Sequence, residues 1–89
     1  MTTQEFYNFA VIAATNRGYA NPRITTVSGC YEGQIKHSCQ LWIYEKRKFV
    51  NSGLHYNPVS ALQAFKDALD FENLTYSKET ENIDLTEKE

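Results

Sequence analysis

The sequence lacks long apolar segments and has few residues that break or cross-link a chain. Its longest wholly apolar run covers residues 9–14, far short of the roughly 20 residues that span a bilayer, so we expect no contact with a membrane. Four Gly and two Pro among 89 residues exclude a fibrous or low-complexity chain. Two Cys are too few for a disulfide scaffold. The chain must therefore build one small globular domain around an apolar core.

The sequence also lacks a strong excess of one charge. Nine Lys and Arg oppose eleven Asp and Glu, a formal net charge of −2, whereas non-specific nucleic-acid binding needs a strongly basic surface. The acidic excess lies near the end, since residues 73–89 hold two basic and five acidic groups. No positive charge precedes the apolar run, so a secretory signal is not expected, and we predict a cytoplasmic protein.

Apolar periodicity predicts one helix before and one helix after a central β region. Thr2 and Glu5 have the spacing of a capping box, and apolar residues follow at helical offsets, which predicts a helix over residues 3–17. Asn57 supplies an N-cap and is followed by a proline at the first helical position. This pattern predicts a second helix over residues 58–71.

The region between the helices reads as three strands. Residues 23–31 are rich in β-branched side chains, residues 35–44 alternate, and residues 49–53 form a short third strand. Because side chains alternate along a strand, the second strand has two sets of side chains that point to opposite faces of the sheet. The set expected in the core is Ile35, His37, Cys39, Leu41 and Ile43, and the opposite set is Lys36, Ser38, Gln40, Trp42 and Tyr44.

This element order predicts an α+β domain with the order αβββα. We expect a three-stranded antiparallel sheet with both helices packed on one face. The compact domain should cover residues 1–72. Residues 73–89 are predicted to be an acidic tail or a weak extra strand, because large apolar residues are sparse there.

The same order and spacing resemble double-stranded RNA-binding domains. That family places an A-x-x-A-A-x-x-A-L pattern on its second helix, and this chain matches its offsets with Ala61, Ala64, Phe65, Ala68 and Leu69. A Gly–His loop between the first two strands is also similar, at Gly33 and His37. The family's RNA-binding lysines at the start of that helix are replaced here by Pro58, Val59 and Leu62. The resemblance is therefore one of topology.

A looser resemblance is to small acidic inhibitors that phages encode against CRISPR nucleases. Such proteins are often of this size and element order, and carry carboxylates that imitate nucleic-acid phosphates. The corresponding acidic side chains in this sequence are Asp67, Asp70, Glu72, Glu79, Glu81 and Asp84. The resemblance implies a protein partner that has a basic nucleic-acid channel.

The residue types and their spacing give little support for catalysis or for metal binding. The soft or imidazole ligands are Cys30, His37, Cys39 and His55. If Glu32 and Gly33 form the hairpin turn, Cys30 pairs with Ile35 and lies ~13 Å along the sheet from Cys39, too far for a disulfide. We predict no metal, no cofactor and no enzymatic activity, with both cysteines as small apolar thiols in the core.

Binding is the remaining function, and its surface is expected on the outward sheet face or on the acidic helix. Trp42 and Tyr44 point away from the core side unless Leu74, Tyr76 or the first helix covers them, and Thr25, Val27 and Tyr31 are expected beside them. The residues predicted to contact a partner are Trp42, Tyr44, Tyr31, Lys46, Arg47, Lys48, Asp67, Asp70 and Glu72. A protein partner is the first expectation. The alternative is RNA or single-stranded DNA on Lys36 and the basic hairpin, with Trp42 stacking on a base.

Overall fold

The protein forms one antiparallel sheet flanked by two helices. The computed structural model describes the backbone of residues 1–88 and the side chains of residues 1–73. The elements are α1 (Thr3–Thr15), β1 (Arg23–Tyr31), β2 (Gln34–Ile43), β3 (Lys48–Asn51) and α2 (Pro58–Lys88). The predicted α+β class and αβββα order are confirmed.

The sheet is a meander with β2 in the centre. β1 and β3 both pair antiparallel with β2, and the register places Cys30 opposite Ile35, as predicted. Glu32 and Gly33 form the connecting turn with φ values of 53° and 79°. A two-residue turn with both φ values positive matches the right-handed twist of the strands, so this turn fixes the register of the hairpin.

Local signals set the start of both helices. The Thr2 side chain accepts the Glu5 amide at 3.1 Å and the Glu5 carboxylate accepts the Thr2 amide at 2.9 Å, which confirms the capping box. The Asn57 side chain accepts the Val59 amide at 2.8 Å and caps α2 in the same way. In the described part of the chain, neither helix combines the length and apolar character needed to cross a membrane.

The helix ends differ from the prediction. α1 ends at Thr15, earlier than predicted, and Gly18 follows with φ 95°. α2 continues beyond residue 71 to Lys88, because the sequence after Pro58 contains no Gly or Pro that would interrupt a helix. The backbone there is helical and not a strand. The prediction of an acidic tail concerns side chains that lie outside the described residues.

The core lies between the helices and one face of the sheet. Its largest fully buried side chains are Phe65, Leu41, Leu69 and Cys39. The other buried apolar residues are Phe6, Ala10, Ala13, Ala14, Ile43, Val50, Ala61 and Leu62. The buried residues of α1 are mainly alanines, whereas α2 supplies most of the larger buried side chains.

Two residues predicted in the core are exposed. Ile35 is 63% exposed and Cys30, its partner across the hairpin, is also exposed. The core side chains of β2 are Cys39, Leu41 and Ile43, so the helices cover only one half of this strand. The turn end of the hairpin extends beyond the helices. The prediction that Ile35 and Cys30 lie in the core is therefore wrong.

Candidate interaction surface

Among the residues whose side chains the structure describes, none forms a packed layer over one side of the sheet, where the side chains are exposed or half-buried. Side chains that alternate with the core residues along each strand share this side, and the register aligns them across the sheet. We call it the open face, and it comprises Arg23, Thr25, Val27, Tyr31, Lys36, Ser38, Gln40, Trp42, Phe49 and Asn51. The predicted position of Thr25, Val27 and Tyr31 on the face of Trp42 is confirmed by the register.

Two aromatic rings form the centre of the open face. Trp42 lies opposite Phe49 in the register, and the ring centroids are 4.7 Å apart with planes inclined by 54°. This contact leaves Trp42 half-buried, whereas Phe49 remains 51% exposed. Tyr44 follows directly after β2 and is 70% exposed. Together these three side chains form a large apolar area. Fixing them on binding costs little conformational entropy, as is common at binding surfaces.

The charge of the open face has one sign. The three strands contain no Asp or Glu, and the open face carries Arg23 near one end and Lys36 near the other. The Lys36 ammonium lies 5.1 Å from the ring centroid of Tyr56, within the range of a cation–π contact. A partner would therefore meet an apolar centre with a weakly basic surround.

A groove runs beside the aromatic centre. It has a volume of about 500 Å³ and lies between the loop at residues 18–23 and the end of β2 at residues 41–45. Trp42 and Tyr44 belong to its lining. The groove therefore continues the surface that Trp42 and Tyr44 offer to a partner.

Three of the predicted contact residues pair with one another. Glu72 is only 7% exposed, and its carboxylate accepts Lys46 Nζ at 2.6 Å and Lys48 Nζ at 2.8 Å. We call these three residues the ion cluster. The hydrogen bonds from Lys46 and then Lys48 hold the pKa of Glu72 below the usual range of a glutamate.

The other predicted charged residues are Asp70, Asp67 and Arg47, and all three are exposed. Asp70 accepts Arg17 Nε at 2.7 Å, which joins the end of α1 to α2. Asp67 accepts the amide of Gln63 at 3.0 Å on the same helix. Arg47 is exposed in the turn before β3, where it has φ 50°. The acidic residues therefore do not form one continuous patch with Glu72.

The structure brings together only part of the predicted site. Trp42 and Tyr31 lie on the open face, and Tyr44 lies at its end. Lys46 and Lys48 both bond to Glu72 instead. Sequence reasoning missed Phe49 as a contact residue. Its signal was available, because a hairpin from β2 into β3 through the turn at residues 44–47 places Phe49 across from Trp42.

One thiol and both imidazoles make contacts within the fold, whereas the thiol of Cys30 is exposed. Cys39 is fully buried, its thiol lies 3.8 Å from the carbonyl oxygen of Ala61, and burial raises its pKa to about 11. His37 Nδ1 lies 2.7 Å from Ser28 Oγ, and its backbone exchanges hydrogen bonds with His55. Among the described residues, no three His, Cys, Asp or Glu side chains come close enough to hold a metal ion.

A second apolar area lies on the helices, away from the sheet. Phe9 is 46% exposed and Ile12 is 50% exposed, and both line a shallow groove between the two helices with Leu62 and Lys66. The helical offsets of α1 suggested that Phe9 would point inward with Phe6. Ala10 and Ala14, which are both fully buried, lie against the core instead.

Comparisons with protein-family models, with curated proteins and with solved structures found no match to this chain.

Proposed function

We propose that this protein is a non-enzymatic binding module that recognises a protein partner through the open face. The observation that carries the proposal is the pair of exposed rings of Phe49 and Tyr44 beside the half-buried Trp42, on a sheet side that no described side chain of the helices covers. Contiguous exposed apolar patches commonly mark protein–protein contact sites. A rigid sheet also holds these rings in place before binding, which lowers the entropy lost on association.

The charges favour a protein partner over a nucleic acid. Two of the four cations considered for phosphate binding, Lys46 and Lys48, bond to Glu72, and Lys36 lies over the ring of Tyr56. The whole chain has a formal net charge of −2. Phosphate binding draws its affinity from many cations acting together, whereas an apolar centre with few cations fits a protein surface that has an apolar patch and an acidic rim.

A pair of matched substitutions tests the surface. Phe49→Ser removes an exposed phenylalanine from the open face, and Phe9→Ser removes one of similar exposure from α1. Immobilised wild-type chain and both variants are compared for the proteins that they retain from a lysate of the source organism, by quantitative mass spectrometry. We expect a specific partner to be lost about tenfold or more on Phe49→Ser and to be kept on Phe9→Ser, as for a hot-spot residue.

The opposite pattern would overturn this assignment. Equal retention by both variants, or loss on Phe9→Ser alone, would move the contact surface to the helices. A fluorescence titration with single-stranded and double-stranded oligonucleotides at low salt tests the alternative partner. Binding that weakens as salt is added, and that Phe49→Ser reduces, would replace the protein partner by a nucleic acid.

A narrower form of the proposal specifies the partner as a nucleic-acid-handling protein, as for the phage inhibitors that the sequence resembles. Among the side chains that the structure describes, its support is limited to Asp67 and Asp70, which are exposed on α2, while Glu79, Glu81 and Asp84 lie outside the described side chains. Glu72 belongs to the ion cluster and contributes no exposed carboxylate. The double substitution Asp67→Asn with Asp70→Asn should then reduce capture as strongly as Phe49→Ser. Unchanged capture would leave the open face as the contact surface and remove the phosphate-imitating role.

A further inference from the structure

β1 is an edge strand without the features that usually protect an edge. It spans nine residues, Arg23–Tyr31, and in the described part of the chain it pairs with β2 alone. Its register with β2 is continuous, so it has no bulge, and it contains no Pro and no charge after Arg23. Edges of this length are normally blocked by a charge, a proline or a bulge, because they attract further strands.

The hydrogen bonds of β2 show which backbone groups of β1 are available. His37 and Cys39 bond through their backbone to residues 52–55, on the side away from β1. Backbone groups of alternate residues point to opposite neighbours in an antiparallel sheet. The intervening residues of β2 therefore bond to β1, and their partners are Arg23, Thr25, Val27 and Gly29. The N–H and C=O groups that point outward belong to Ile24, Thr26, Ser28 and Cys30.

We infer that this edge pairs with β1 of a second copy of the chain, antiparallel and about a two-fold axis at Val27. In this register Ile24 bonds to Cys30 of the second copy and Thr26 to Ser28, so all four outward-pointing residues are used in both chains. The pairing forms about eight hydrogen bonds. Shifting the axis to Thr26 or Ser28 leaves outward-pointing groups of each strand without a partner.

The side chains fit the same register. The axis places Val27 of the two copies directly opposite each other, as a non-hydrogen-bonded pair, in which side chains approach most closely. At the ends of the pairing, Arg23 of one copy meets Tyr31 of the other on the open face, and a guanidinium over a phenol ring is a favourable cation–π contact. No like charges face each other. The two sheets would join into one six-stranded sheet.

Cross-linking tests this register directly. In a Cys30→Ser background, Val27→Cys places two thiols opposite each other at the axis, where the α-carbons lie about 4.5 Å apart, within the range of a disulfide. Thr25→Cys is the matched control, because its two copies lie ~13 Å apart along the strands. Mild oxidation of the full-length variants should give a covalent dimer on a non-reducing gel for Val27→Cys alone.

Sedimentation of the full-length chain tests the pairing without a cross-link. Thr26→Pro removes an outward-pointing N–H while leaving the bonds to β2, and its side chain does not belong to the open face. Wild type and Thr26→Val should sediment as dimers, and Thr26→Pro as a folded monomer by circular dichroism. A monomeric wild type at concentrations up to the millimolar range would overturn the inference. Equal cross-linking of the Val27→Cys and Thr25→Cys variants would overturn it as well.

The dimer and the proposed function depend on different atoms of the protein. The dimer uses the backbone edge of β1, whereas partner capture uses the side chains of Trp42, Phe49 and Tyr44. Thr26→Pro should abolish the dimer without changing the aromatic centre, and Phe49→Ser should abolish capture without changing the sedimentation of the chain. Each result thus decides one of the two claims.

Discussion

The two cysteines illustrate how position in the fold sets the chemistry of a residue. Cys39 lies in the core, where burial raises its pKa to about 11, so it stays protonated at neutral pH and out of contact with reagents. Cys30 is exposed on the overhanging end of the hairpin. The thiolate is the reactive form of cysteine, and access decides which thiol meets the reagent.

We therefore expect one fast-reacting thiol in the native protein. A thiol-reactive chromogen at neutral pH should modify Cys30 rapidly and Cys39 only as fast as the domain opens. Cys30→Ser should abolish the fast phase, and Cys39→Ser should leave it unchanged. Two fast phases of equal rate in wild type would show that Cys39 is not buried in solution.

Glu72 makes the stability of the domain sensitive to acid. Its pKa is lowered from the ordinary value of 4.5 by the bonds to Lys46 and Lys48, so the unfolded chain binds this proton more readily than the folded chain. The stabilisation is complete above the unfolded-state pKa and is lost as pH falls through the folded-state pKa. Both ammonium groups would then lack their counter-charge.

Glu72→Gln should lower the free energy of unfolding by about 1–3 kcal/mol at pH 7, as for a hydrogen bond to a charged group at a buried position. Urea denaturation at pH 7 and at pH 3 measures the difference between wild type and variant. The difference should shrink at the lower pH, because at pH 3, below the ordinary glutamate pKa of 4.5, the unfolded wild-type chain binds this proton and the stabilisation by the folded carboxylate falls. Asp67→Gln, on the exposed surface of α2, is the control and should change stability little. A difference that is the same at both pH values would contradict the role of the ion cluster.

At the scale of elements, the β1–β2 hairpin depends on the positive φ of Gly33. This residue has φ 79°, and a Cβ added to it meets no atom within 4 Å. The free-energy cost of a side chain at this position therefore comes from backbone strain and not from a steric clash. Gly33→Ala should destabilise the domain by about 1 kcal/mol, and Gly33→Asn by less, because asparagine tolerates left-handed backbone. Thermal melts of both variants test this order, and the reverse order would contradict the assigned turn.

Local patterns predicted the elements well because each has a signal within a few residues. The capping box at Thr2, the N-cap at Asn57 and the turn at Glu32 and Gly33 each depend on neighbouring side chains and on backbone conformation. They placed the start of both helices and the register of the hairpin. The end of α2 lacked such a signal, since no Gly or Pro follows Pro58.

The candidate site was less predictable because it depends on contacts between distant residues. The pairing of Glu72 with Lys46 and Lys48 spans about two dozen positions in sequence, and alternation along one strand carries no information about it. Ile35 matched the core pattern of β2 but lies beyond the helices. The sequence pattern assigns a side chain to a face, whereas burial depends on how far the opposite layer extends.

At the scale of the whole molecule, the fold places the core and the proposed contact surface on opposite faces of the sheet. The helices and one sheet face form the core. The ion pairs of Glu72 with Lys46 and Lys48 join the basic segment around the start of β3 to α2. The open face contributes little to this core, and the side chain of Phe49 on it remains exposed. In a chain with a single small core, such exposure points to a contact surface.

The quenching of tryptophan fluorescence tests most directly whether the open face is uncovered. Trp42 is the one tryptophan of the chain, so its emission reports on this face alone. Acrylamide should quench the native protein to an extent between those of a free indole and a buried one, and Phe49→Ser should raise the quenching while Phe9→Ser leaves it unchanged. Emission of a buried indole that acrylamide does not quench would contradict the account, because the aromatic centre would then be covered and closed to a partner.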